Sequence, residues 1–344
     1  ARQLFKEETF DFPWFGDPYK MKARLSPRFG ISHPVTDNDV LYFYYGHFSQ
    51  LPTFQYVYAK INSKAQSTYQ VFGNPNLNPK TTVQYEIGVK HRFSEDQVLE
   101  LKAYWKDMFD YETSQTIRPS NPKYAHLYFN MYFNADYARS RGIEAILKSR
   151  FLINWYVDLN FNYSIVTGKS SSPLDNLLVQ AGQLSEKPLG ENYMSWDRPL
   201  HMFTNISYSH PSMWGVSARL EYESGRRYTR SIQDTIITIG DKQFYDGPRE
   251  DDRPYAFLSD ATKNNINIKV YKTLNLGQFK LKTYAEIENV LNDVNPRRIN
   301  PYTGTGYGPG EIYGYRLLNS PNPNEDPSRY SRPRSMEIGI QFIF

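Results

Sequence analysis

Cysteine is absent from the 344 residues, which removes thiol nucleophiles, thiolate-bound metals and disulfides while leaving the compartment open. Long apolar runs are absent too. Nothing approaches the roughly 18 residues of a spanning helix, and mean hydropathy is -0.65, so a helical membrane protein is excluded. Net charge is slight, +4 from 40 Lys and Arg against 36 Asp and Glu, and with no basic block there is no case for nucleic acid. Catalytic patterns are missing. His33, His47, His91, His126, His201 and His210 are dispersed, with no His-x-x-x-His pair and no Gly-x-Ser-x-Gly elbow. Gly304, Gly306, Gly308 and Gly310 break the phosphate-binding spacing and read as a mobile loop. Glu250, Asp251 and Asp252 offer oxygen ligands for calcium, but read as a solvated loop charge run. The chain is therefore read as no enzyme, with no metal and no cofactor.

What the chain does have is aromatic residues set in alternation, with 29 Tyr, 21 Phe and 5 Trp. Met336, Ile338, Ile340, Phe342 and Phe344 fall on one parity, and Glu337, Gly339 and Gln341 on the other. That is a strand with one apolar face. The pattern recurs. Trp155, Val157, Leu159, Phe161, Tyr163 and Ile165 alternate with Tyr156, Asp158, Asn160, Asn162 and Ser164. Residues 83–90, 99–106, 216–223 and 265–270 repeat it. A soluble sandwich is limited by its single core, whereas a transmembrane barrel hides its hydrophobicity in alternation, so a polar average with many aromatics fits a barrel.

Strands are expected over 21–33, 39–48, 81–91, 97–108, 138–148, 155–165, 200–208, 215–224, 264–274, 279–290 and 335–344, eleven in all. Short turns at 34–38, 92–96, 149–154, 209–214 and 275–278 alternate with long connections. Short turns at one end and long loops at the other are the outer-membrane pattern, periplasmic and extracellular respectively. The fold expected is an all-β, antiparallel transmembrane barrel in the bacterial outer membrane, with Phe344 at a periplasmic carboxyl terminus. Because intact single-chain bacterial barrels have an even strand number, residues 1–344 are expected to be the C-terminal part of a barrel, with upstream strands elsewhere.

Four motifs then carry a resemblance. Gly73 to Lys90 (GNPNLNPKTTVQYEIGVK) resembles the Gly-Asn-Pro-x-Leu-x-Pro-Glu segment and following Tyr-Glu-x-Gly strand of TonB-dependent outer-membrane receptors, with Lys80 where the family usually has Glu. Ala138 to Leu147 (ARSRGIEAIL) is similar to the family's Arg-Gly-x-Glu strand, and Ile287 to Asp293 (IENVLND) to its Asn-Leu-Phe-Asp segment. Arg24 to His47 resembles receptors of this type from Bacteroidetes-like bacteria. The resemblance implies about 22 strands around an N-terminal plug, and uptake of a siderophore, cobalamin, glycan or peptide driven through TonB, which would contact the absent plug segment. Implied partners are outer-membrane lipid and lipopolysaccharide, the plug and remaining strands, and a surface lipoprotein. A passive porin or structural barrel is the alternative, and a Ser/His lipase of the outer membrane a remoter one.

Gly73, Pro75 and Pro79 read as fixing the loop that returns the chain to the barrel, and Gly142 as relieving crowding at a strand bend or against the plug. Glu100, Lys102, Glu144, Arg219, Glu221, Lys280, Lys282, Glu286 and Glu288 are expected to face the lumen and pair across strands. Recognition is assigned to connections 48–79, 109–137, 166–199, 225–263 and 291–334. There Trp196, Arg198, Arg226, Arg227, Tyr228 and Arg230 join aromatic platforms to cationic forks suited to an anionic or ring-bearing ligand. Bracing of loops and contact with lipopolysaccharide are the other roles open to them.

Overall fold

The structure is a computed structural model that describes residues 22–58, 71–117, 129–151, 153–180, 190–232, 235–240, 242–246, 249–251, 253–306, 313–314 and 329–343. Phe344, Asp252, Gly308, Gly310 and residues 1–20 lie outside them. One antiparallel sheet holds eleven long strands in chain order. They are β1 (Arg28–Pro34), β2 (Asp39–Gln50), β3 (Lys80–Ser94), β4 (Gln97–Ile117), β5 (Phe129–Ser149), β6 (Trp155–Gly168), β7 (Leu200–His210), β8 (Trp214–Glu223), β9 (Lys263–Leu276), β10 (Phe279–Glu288) and β11 (Ser335–Ile343). Among the described residues β1 and β11 are the edges and no ladder joins them, so the sheet is open.

All eleven expected strands are present, with two differences in extent. β1 starts at Arg28 rather than near residue 21, directly after Pro27, which has no N–H to give a ladder. β4 and β5 run to 21 residues each, so most of 109–137 is a strand pair and not a loop. The register shifts between Met108 and Tyr111, where Asp110 takes φ 60°. Such a bulge resets side-chain parity, and past it the alternation no longer announces a strand. Packing sustains the extension instead. Thr113 and Ser114 are buried there, Asn176 of the helix Asp175–Gln180 donates to Ser114 O at 3.3 Å, and Val71–Phe72 pairs in parallel with Asn130 and Met131.

The register aligns the apolar parities of neighbouring strands. Leu41, Val89, Leu101, Ala145 and Phe161 form one cross-strand row, and Phe43, Ile87, Ala103, Ile143 and Tyr163 the next. The same face continues through Ile206, Ala218, Ile268, Ile287 and Met336. Many of these side chains are exposed, Ile87 by 54% and Ile338 by 72%. A contiguous apolar surface of this extent needs a nonaqueous neighbour.

Aromatic rings bound the apolar band. At the short-turn end Phe151 stacks on Trp155, Trp155 meets Tyr208 at 5.0 Å, and Tyr208 meets Trp214 at 5.3 Å. Toward the long connections, Tyr45 meets Tyr85 at 5.1 Å and Tyr85 stands opposite Trp105. Along β6 the band covers about ten residues, roughly 33 Å of strand and about 25 Å of height at a tilt near 40°. That is the height of a barrel's lipid-facing belt flanked by girdles.

The opposite face is polar and self-paired. Lys102 meets Glu144 at 3.0 Å, Lys90 meets Glu100 at 3.4 Å, and Lys269 meets Glu286 at 2.7 Å. Arg219 lies over the Phe203 ring. Tyr42, Tyr104, Tyr271 and Tyr284 stand directly opposite Gly88, Gly142, Gly215 and Gly339. A tyrosine laid across a cross-strand glycine covers backbone that glycine leaves bare. At Gly142 a Cβ would sit 2.5 Å from Tyr163 O and 2.8 Å from the Tyr104 hydroxyl, so the crowding there comes from neighbouring strands.

Candidate functional site

The buried residues gather at the long-connection end, where loops pack on the strand extensions. Leu77 and Asn74, of the Gly-Asn-Pro segment, are buried. Asn74 donates to Tyr132 O at 3.0 Å, and Asn134 accepts from Asn78 N–H at 2.7 Å. Two prolines with these amide bonds hold the returning chain against β5. Lys80 meets Glu112 at 2.8 Å, with the Glu112 side chain 1% exposed. The cation at this position is thus matched by a buried acid on β4.

The pairing of His201 with Glu223 brings the start of β7 beside the end of β8, and so Trp196–Arg198 beside Arg226–Arg230. Asp197, fully buried, ties them together. One carboxylate oxygen accepts from Val166 N–H at 2.9 Å and the other from Arg227 Nε at 3.0 Å, while Arg227 N–H donates to Asp197 O at 3.1 Å. Arg227 also donates to Ala256 O at 3.3 Å and lies 3.8 Å from the Tyr193 ring centroid. Burial pushes the Asp197 carboxyl up from the ordinary carboxylate range, opposed by Arg227 and the Val166 N–H.

The other expected residues have partners of their own. Arg198 meets Glu223 at 2.9 Å and donates to Ser224 O at 3.2 Å. Arg230 meets Asp251 at 3.3 Å and lies 4.5 Å over the Phe257 ring. Tyr228 packs 6.1 Å from Phe257, and its hydroxyl would lie 2.5 Å from a Cβ on Gly304, whose φ of +78° already favours glycine. Arg226 donates to Arg297 O at 2.8 Å, and burial lowers its pKa, with the Arg198 charge adding to the effect. Among the described residues no carboxylate lies within ion-pair distance of Arg226. Trp196 is 44% exposed. The geometry therefore spends Arg198, Arg227 and Arg230 on holding loops together, and leaves Arg226 and Trp196 most available to a ligand.

One loop reading changes. Asp251 is not solvated: it is buried, and takes Arg230 on one oxygen and Arg253 on the other. The Arg253 N–H, its guanidinium and the Arg230 charge hold its pKa below the usual value. The glycine loop is pinned at its start, where Gly304 N–H donates to Asn300 O and Gly304 O accepts from Asp260 N–H. Asp197 escaped the sequence reading, although an acid set between Trp196 and Arg198 was the available signal.

One group of potential metal ligands occurs among the described residues. His201, Glu221 and Glu223 offer ligand atoms within 4.8 Å of one another on the polar face. Lys263 stands 2.8 Å from Glu223 and 3.3 Å from Glu221, and Arg198 meets Glu223 too. The carboxylates are already neutralised, so a cation would have to displace an ammonium.

Residues 8–290 match the family model of the TonB dependent receptor-like β-barrel. A search of curated proteins finds no match. Solved structures share the fold. The outer membrane transporter YddB from Escherichia coli is 12% identical with a TM-score of 0.59, covering 94% of this chain and 41% of that one. The ferric enterobactin receptor PfeA from Pseudomonas aeruginosa is 13% identical with a TM-score of 0.55, over 92% and 40%. The siderophore receptor PirA from Acinetobacter baumannii is 13% identical with a TM-score of 0.54, over 92% and 40%. The chain thus spans about two fifths of the length of these structures. With the family match covering most of its strands, the chain belongs to the TonB dependent receptor-like β-barrel family.

Proposed function

We propose that the chain forms part of an outer-membrane receptor that takes up a scarce nutrient by TonB-energised transport. Long connections lie outside the cell and short turns in the periplasm, and further strands close the gap between β1 and β11 around a plug that carries the TonB contact. The observation that carries this reading is the eleven-strand register, which sets one girdled apolar face against one self-paired polar face. An open edge in lipid leaves backbone N–H and C=O groups unpaired at several kcal/mol each, so edges of this length need partner strands. A plugged lumen also gives the Lys102–Glu144 and Lys269–Glu286 rows a neighbour. One solved relative is named a siderophore receptor and another a ferric enterobactin receptor, which supports a ferric siderophore ahead of cobalamin, glycan or peptide. A surface lipoprotein over the loops is compatible with any of these.

Recognition falls on the loop cluster, with Arg226 and Trp196 contacting the ligand and Arg198, Arg227, Tyr228 and Arg230 shaping the surface around them. The test is uptake of ferric siderophores by cells carrying the complete receptor, with TonB present or deleted. Uptake lost without TonB supports active transport, and TonB-independent flux supports the porin alternative. Arg226→Ala is expected to weaken ligand affinity at normal expression. Unchanged affinity would leave only the bracing role for the cluster.

A further inference from the structure

We propose that the membrane-facing side of β2 to β6 carries a binding site for an anionic, phosphate-bearing lipid of the leaflet on the long-connection side. The inference rests on the membrane reading above and adds a ligand to a face that transport does not use. Arg141 of β5 stands directly opposite Trp105 of β4 and Ile165 of β6, so its side chain belongs to the apolar face. Its guanidinium lies 5.3 Å from the Trp105 ring centroid, and that of Arg139, two residues along on the same face, lies 5.2 Å away. The two cations differ in what neutralises them. Arg139 meets Asp107 at 2.7 Å and Glu191 at 2.8 Å. Among the described residues no carboxylate comes within ion-pair distance of Arg141.

Arg141 therefore presents an uncompensated charge at the depth of Tyr85 and Trp105, where a girdle marks the boundary between headgroups and hydrocarbon. A guanidinium over an indole face still has N–H groups to offer, and its fork matches phosphate oxygens bidentately.

The surface below Arg141 is hollowed. Ala103 and Ala145 are small residues among Ile87, Leu101, Ile143 and Phe161, and the difference in size leaves an apolar groove of about 450 Å³. Through Ile87 and Ala103 it adjoins a second hollow of about 250 Å³ beside Tyr85 and Trp105. A cationic head over an apolar slot that runs toward mid-membrane fits one class of occupant, a phosphorylated headgroup with its acyl chain. Lipid A and anionic phospholipid share that chemistry.

The test uses the complete receptor, released from vesicles in mild detergent, with retained lipid counted by native mass spectrometry after loading with lipid A, phosphatidylglycerol or phosphatidylcholine. Arg141→Gln is expected to lower retention of the anionic lipid at least fivefold, and Arg141→Lys, which keeps the charge without the bidentate edge, to lower it by less. Ala103→Phe, which fills the groove, should lower retention with Arg141 intact. Lipid A retained above phosphatidylglycerol identifies the phosphomonoester source, and equal retention a general anionic-phospholipid site. Phosphatidylcholine retained as well as the anionic lipids, or wild-type retention by both Arg141→Gln and Ala103→Phe, overturns the proposal. Should Ala103→Phe fail to fold, the contrast between Arg141→Gln and Arg141→Lys decides alone. A receptor that enters none of the vesicles would instead refute the membrane reading.

Discussion

Replacing Phe161 with arginine places a charge on the apolar face of β6, while the same change at Asn160 places it on the polar face of the same strand. Phe161 lies between Ala145 and Met202 in the ladder, and Asn160 between Ile146 and Phe203. Counted along β6 at about 3.3 Å per residue with a tilt near 40°, Phe161 sits about 15 Å above the Trp155 girdle and about 10 Å below Ile165. That is within a few ångströms of mid-band, where arginine facing lipid costs about 2–4 kcal/mol. At about 1.4 kcal/mol per tenfold, Phe161→Arg should shift the folding equilibrium by about 30- to 700-fold. Asn160→Arg meets Asp158, whose carboxylate already accepts from the Asn160 amide at 3.1 Å, and should change stability by no more than about 0.5 kcal/mol. Phe161→Gln separates the charge from the lost apolar contact. Denaturant titration of the complete receptor in phospholipid vesicles measures all three, and equal midpoints for Phe161→Arg and Asn160→Arg would refute the assignment of faces.

Gly142→Ala should destabilise by about 1–3 kcal/mol, and removing the Tyr104 ring should not rescue it, because the nearer obstacle is Tyr163 O. Gly88→Ala should be rescued by Tyr42→Ala, since the three atoms nearest to a Cβ there all belong to the Tyr42 side chain; denaturation midpoints of the single and double variants decide. Asp197→Ala leaves Arg227, 15% exposed, without its carboxylate, at a cost of about 3–5 kcal/mol for a broken buried pair. Faster hydrogen exchange at Val166 and Arg227 with the strands unaltered reports that loss, and unchanged protection would refute the bracing role. Asp251 has a lowered pKa, so its contribution is present above the unfolded Asp value near 3.9 and disappears as pH falls through the folded value. Protection of Arg253 N–H should therefore hold at pH 5 to 7 and fail in stronger acid, and loss already at pH 5 to 6 would contradict it.

The strands were legible because one side of each meets apolar surroundings and the other its own polar neighbours, so alternation survives in the sequence. Where that two-sided environment ends, the signal ends. Past Asp110 the pair β4 and β5 continues through Glu112, Thr113 and Ser114, buried polar residues packed under loops, and no period of two can show it. The loop cations were legible as a cluster. Their partners were not, because Arg227 with Asp197 and Arg226 with Arg297 O are separated by 30 and 71 residues. A short acid in a loop looks solvated until the loops that bury it are placed, as with both Asp197 and Asp251.

Single-site spin labelling from Trp155 to Ile165 in the reconstituted receptor tests the central claim directly, and residues 1–344 contribute no cysteine of their own to the background. Collisional relaxation by oxygen, which dissolves in hydrocarbon, should peak at Val157, Leu159, Phe161 and Tyr163. Relaxation by a water-soluble nickel chelate should peak at Asp158, Asn160, Asn162 and Ser164. A period of two in both signals, in opposite phase, is the result a lipid-facing barrel strand predicts. Oxygen and nickel accessibilities that rise and fall together, or show no period of two, would contradict it.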